Sequence, residues 1–141
     1  MASAPSKPPA GNPPGSILPD TNLVLLAGRI TADPVVTELP SGSVIYSWSV
    51  NVACGDGPAT SVPVVAFDPQ RSARATGAGA EVVVTGQVRR RFFRSAGGTQ
   101  SRTEVVASRI VAAARARSVS SSVTVARATL DALGGEVSRQ P

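Results

Sequence analysis

From Asn22 onward the chain breaks into short runs rich in Val, Ile and Ser, each ended by turn formers, and this punctuation favours a set of strands. The first run is Leu23 to Ile30, stopped at Ala32-Asp33-Pro34, where proline has no N–H to give to a ladder. An extended piece at Val35 to Glu38 leads through the turn Pro40-Ser41-Gly42 into a second strand, Val44 to Ala53. Cys54-Gly55-Asp56-Gly57-Pro58 turns the chain into a third, Ser61 to Phe67. Asp68 to Thr76 predicts a short helix, with Asp68 placed to cap a start at Pro69 and with Gly77 and Gly79 to stop it. A fourth strand, Glu81 to Phe93, is joined to a fifth, from about Gln100 to Ala112, by Ser95-Ala96-Gly97-Gly98.

A three-strand meander, a helix and a hairpin form the order of an OB-fold, an all-β, five-stranded Greek-key barrel with a short helix between strands 3 and 4. Its open face commonly takes single-stranded nucleic acid. Residues 21–114 form this expected domain. Before it, residues 1–20 hold six of the twelve prolines and predict a disordered arm, since they can neither pair in a sheet nor continue a helix. After it, residues 115–141 predict a loose tail with a short C-terminal helix. Val123, Ala126, Leu130 and Leu133 share one helical face there, and Gly134-Gly135 is the expected stop. About three turns are marginal in isolation, so this helix is expected to dock on the barrel or on a second subunit.

Charge narrows the partner. The 141-residue chain has a formal net charge of +5, and 13 of its 14 basic residues are Arg, Lys7 being the exception. Four of these arginines stand in the row Arg89, Arg90, Arg91, Phe92, Phe93, Arg94, at the end of the valine-rich fourth strand. Guanidinium groups are permanently charged donors for phosphate, and a phenyl ring offers a face on which a base can stack. A solvated strand end with one ring in the core is the plainer reading of the same row.

Strand alternation divides the row. Val82, Val84, Gly86, Val88, Arg90 and Phe92 share one face, which reads as core with Phe92 at the barrel end. Arg89, Arg91 and Phe93 share the other with Val83, Thr85 and Gln87, as a backbone-tracking groove with a stacking platform requires. By the same rule Trp48 shares a face with Val44, Tyr46, Val50 and Val52 and is expected to be buried. Phe67 is in phase with Ser61, Pro63 and Val65, a face that parity leaves open as inside or outside.

The run Asn22-Leu23-Val24-Leu25-Leu26-Ala27-Gly28-Arg29-Ile30, then Asp33-Pro34, Pro40-Ser41-Gly42 and Tyr46-Ser47-Trp48-Ser49-Val50, resembles the opening of bacterial single-stranded DNA-binding proteins. Val64 to Phe67, Gly86 to Phe93 and Thr103 to Ala107 resemble that family's third, fourth and fifth strands, so the likeness covers about residues 22–112. It implies non-sequence-specific binding of single-stranded DNA by an OB-fold that assembles as a homotetramer or dimer, serving DNA replication, recombination or repair at the nucleoid. It also implies stacking by Phe67 and Phe93 and phosphate contacts from Arg29, Arg89 and Arg91, with Arg94 beside them. Trp48 falls where the family usually has a core aromatic.

The departures carry expectations too. Ser61 and Val62 stand where the family has tryptophan and histidine, and the loop between Ala53 and Ser61 is shorter than the family's basic, aromatic-bearing hairpin. If each base stack contributes on the order of 1 to 3 kcal/mol, two losses weaken binding by several powers of ten. Weaker, more salt-dependent binding is therefore expected, and Val62 puts the usual subunit interface in doubt. The last residues, Gly134 to Pro141, lack the family's acidic, Phe-terminated tip, so recruitment of replication enzymes by that route is not expected. A primosome-like accessory OB-fold module with weak DNA affinity is the alternative.

Other classes are disfavoured. With no His and a single Cys, Cys54, the usual general bases, metal ligands and thiol relays are missing, so neither an enzyme, nor a cofactor, nor a metal site is expected. Gly77-Ala78-Gly79 lacks the third glycine of a dinucleotide fingerprint. No signal-like segment and no run of 18 apolar residues is present, so a cytoplasmic protein without a membrane partner is expected.

Overall fold

The computed structural model describes residues 14, 15 and 17–138, and most of the expected Pro-rich arm lies outside them. The chain is mostly β, with strands β1 (Val24–Ile30), β2 (Val35–Glu38), β3 (Val44–Val52), β4 (Thr60–Phe67), β5 (Glu81–Ser95) and β6 (Gly98–Ala112). Helix α1 (Arg71–Arg74) is a single turn between β4 and β5, and α2 (Ala116–Ser138) follows β6. The sheet runs in the order β1-β5-β6-β4-β3-β2, and it curls until β3 also meets β1 at Arg29↔Asn51 and Ile30↔Val50. β4 and β6 pair in parallel, the other neighbours antiparallel. This architecture is consistent with an OB-fold.

The curl brings alternate residues of each strand into one core. Ile30, Trp48, Val50, Val64, Val82, Val84 and Val105 are buried there, each aliphatic side chain contributing roughly 1.5 to 3 kcal/mol by leaving water. Trp48 is in this core, and its Nε1 donates to the Thr76 carbonyl at 3.0 Å. Gly28 lets β1 cross β3 closely, since a Cβ there would come within 2.4 Å of the Asn51 carbonyl oxygen.

Between Thr85 and Gly86 the register of β5 on β6 shifts, leaving Ser108 as an extra residue on β6. Ser108 Oγ donates to the Thr85 carbonyl at 3.0 Å. A Cβ on Gly86 would stand 2.1 Å from the Val106 carbonyl oxygen, so glycine is required where the strands close up again.

Three sequence expectations change. Asp68 does not cap α1: the N-cap is Gln70, with no side-chain cap bond, and the Asp68 carboxylate accepts instead from the Val44 backbone N–H at 2.9 Å. Helix α2 starts seven residues before Val123 and runs through Gly134-Gly135, neither of which adopts the left-handed backbone that ends a helix. Its first half docks through small residues, Ser122 and Ala126 being buried and Arg109 Nη1 donating to Ser121 Oγ at 3.3 Å. The side chains of residues 127–132 are exposed. The third change concerns Arg90 and Phe92, whose placement shapes the site.

Candidate nucleic-acid interface

β5 and β6, with 15 residues each, outreach the rest of the sheet. β1 leaves β5 at Val24↔Gly86, and β4 meets β6 at Val64↔Val105 and Val65↔Val106. Beyond these points β5 runs on without β1, and from Arg89↔Glu104 to the Ala96-Gly97 turn the two strands continue alone as a ribbon. With no third strand beside it, the ribbon has no core to fill on the face that carries Arg90 and Phe92. Val88 and Phe92 are accordingly 46% and 64% exposed, and Arg90 is exposed with them. Parity assigned these three to the buried half, and that assignment holds only through Gly86.

The root of the ribbon is pinned by Asn22. Its Nδ2 donates to the Val88 carbonyl at 2.8 Å and its Oδ1 accepts from the Val88 N–H at 2.9 Å, so one side-chain amide extends the β1–β5 ladder past the end of β1.

The hairpin register then builds the site. Ser95 pairs with Gly98, which sets Arg89 opposite Glu104, Arg91 opposite Arg102 and Phe93 opposite Gln100 on one face. Glu104 is buried, with its side chain 1% exposed, and a lone carboxylate there would be costly. Two arginines neutralise it: Arg89 Nη2 donates to Oε2, and Arg91 Nε lies 3.6 Å from the same oxygen. Held this way, the Arg89 guanidinium carbon sits 5.3 Å from the centroid of the Phe67 ring and that of Arg91 5.3 Å from Phe93. Each ring is about half-exposed or less, with a cation on one side.

Phe67 ends β4 on the side away from the core, which resolves the question parity left open. The next residue keeps it there: Asp68 is in left-handed backbone, φ 46°, and the Val44 N–H and Ser43 side chain hold its carboxyl below the ordinary value of 3.8. Along the same outer side, Ser61 Oγ and Ser49 Oγ share a hydrogen bond of 2.5 Å across β3 and β4.

Of the expected site residues, Arg89 and Arg91 therefore meet at Glu104, and each lies over a ring, Phe67 and Phe93 respectively. Arg94 lies on the same ribbon but, by alternation, on the opposite face with Arg90 and Phe92. Arg29 stands apart. It pairs with Glu81 at 2.6 Å and donates to the Gly79 carbonyl at 2.8 Å, at the start of β5, roughly 26 Å along the strand from Arg89 at 3.3 Å per residue. Glu104 and Asn22 are the participants that residue-type reasoning misses. Counting back from a two-residue turn at Ala96-Gly97 would have paired Glu104 with Arg89, whereas nothing in the sequence marks Asn22 as a clamp on Val88.

Chemically the arrangement offers fixed guanidinium donors, two rings and a concentration of charge. Residues 88–104 carry five arginines and one glutamate, leaving four positive charges of the chain's formal net +5. Among the described residues no cluster of His, Cys, Asp or Glu could hold a metal ion, and no helix is long and apolar enough to cross a membrane. In comparisons with known proteins, the model of the single-strand binding protein family matches residues 21–113, from the root of β1 to the end of β6. No curated protein matches the chain.

Proposed function

The chain belongs to the single-strand binding protein family, and from that premise we propose that it holds single-stranded DNA without sequence preference on the β5–β6 ribbon of an OB-fold barrel. Bases stack on Phe67 and Phe93, and Arg89 and Arg91 contact phosphate. The observation that carries this reading is the pair of guanidiniums fixed 5.3 Å over two rings by one buried carboxylate, on a ribbon bearing most of the net charge. Stacking platforms beside fixed cations suit a polyanion of flat rings and read no base identity.

The duty this serves is DNA replication, recombination or repair at the nucleoid of a bacterial cytoplasm, in a homotetramer or dimer. Ser61 hydrogen-bonded to Ser49, where the family's tryptophan would stand, supports weaker binding than a fully furnished relative has. Arg29, engaged with Glu81 and Gly79, is outside the proposed site.

Titration of a fluorescent oligothymidine at several salt concentrations tests the proposal. The logarithm of the binding constant should fall linearly with the logarithm of salt, by about 0.7 per phosphate contact. No detectable binding at low salt would refute it and leave the accessory protein-interaction module as the reading.

A further inference from the structure

The ribbon has a second face with the same parts and without the carboxylate. Arg90, Phe92 and Arg94 alternate along it, opposite Thr103, Ser101 and Thr99. The Arg90 guanidinium carbon lies 5.2 Å from the Phe92 ring centroid, and its Nη2 donates to Ser101 Oγ at 3.1 Å. Phe92 is the most exposed phenylalanine of the described chain, at 64% against 44% for Phe67.

We infer that Arg90, Phe92 and Arg94 form a further subsite for single-stranded nucleic acid, so that one ribbon holds the strand on both of its faces. The inference rests on the single-strand binding proposed above and extends it to the opposite face, of which only Arg94 was expected to touch DNA. Charge complementarity selects the occupant. Neither Arg90 nor Arg94 has an acidic partner among the described residues, whereas Arg89 and Arg91 share Glu104. A single ring between two unneutralised guanidiniums makes a poor apolar seat for a protein and a good one for a base with its flanking phosphates. The hydroxyls of Ser101, Thr99 and Thr103 add neutral donors on the same side.

The tip permits a continuous path. Ala96 and Gly97 carry nothing larger than a methyl group, so a strand leaving Phe93 can round the turn and reach Phe92. A second platform of this kind also offsets the stackers missing at Ser61 and in the shortened loop.

The test compares full-length wild type with Phe92→Ala, Phe93→Ala and the double variant Arg90→Gln/Arg94→Gln. Each is titrated with a fluorescein-labelled oligothymidine of about 24 nucleotides, beyond the roughly 4 to 16 that one OB-fold covers. Phe92→Ala should weaken binding about 5- to 150-fold and reduce the nucleotides occluded per chain. The arginine variant should lower the salt slope by about 1.4, two contacts at 0.7 each. Should wild type bind while both the Phe92 and the arginine variants match it in affinity, occluded length and slope, the second face is no subsite and the proposed function stands. Loss of the assembled mass in Phe92→Ala with unchanged DNA binding would make the ring a contact between copies and overturn the inference. A wild type that binds no oligothymidine removes both readings together.

Discussion

Two aromatic residues in this chain behave oppositely because of where their strands go. Trp48 lies in the core with its N–H on the Thr76 carbonyl, so Trp48→Ala should cost about 3 to 5 kcal/mol in urea unfolding. Phe93 lies on the ribbon with a guanidinium over it, and Phe93→Ala should leave the unfolding free energy within about 0.5 kcal/mol while weakening oligothymidine binding about 5- to 150-fold. The reverse ranking would show the face assignment to be wrong. Glu104 is the third decisive residue, because it fixes the two guanidiniums and, in the proposed site, competes with phosphate for them. Glu104→Gln removes one negative charge from the site, so the salt slope should steepen by up to about 0.7 and low-salt affinity should rise. The same change should cost about 1 to 2 kcal/mol of stability, less than a fully buried pair would, since Arg89 and Arg91 are 41% and 47% exposed.

At the scale of elements, the ribbon is what departs most from a plain reading of strands. Alternation named the two faces of β5 correctly, yet only neighbouring elements decide whether a face is covered. Through Val84 the inward residues meet the core, and past Gly86 the same phase meets water. Asn22 sets this boundary through its two bonds to Val88. Asn22→Ala should therefore lower protection of the Val88 amide in hydrogen exchange and destabilise the chain by about 1 to 2 kcal/mol, with the core amides of β3 changed only by that global amount. Helix α2 shows the complementary failure. The serine-rich stretch before Val123 reads as loose because Ser has a modest helix propensity, but Ser122 is small enough to let the helix lie close on β5 and β6. Docking, which single-residue propensity does not contain, settles that turn of helix.

At the scale of the whole molecule the charge is polar in its distribution. Arg29 at the start of β5 is matched by Glu81, while the far ribbon carries most of the excess. Arg29→Gln should accordingly leave the salt slope of oligothymidine binding unchanged, and Arg91→Gln should lower it by about 0.7. A slope that responds equally to both would mean that DNA runs the length of β5. The sequence by itself determined the strands, the buried tryptophan, the pairing of Arg89 and Arg91 with Phe93 on one face, and the family, because turn residues, alternation and motif order are local properties of a chain. Tertiary structure alone decided that Phe67 joins Arg89, that Glu104 holds both arginines, that Arg29 pairs with Glu81, and that Arg90 and Phe92 face solvent. Each of those depends on which strand lies beside which and where it ends, and a pairing between distant residues is fixed by the curl of the sheet rather than by the character of either partner.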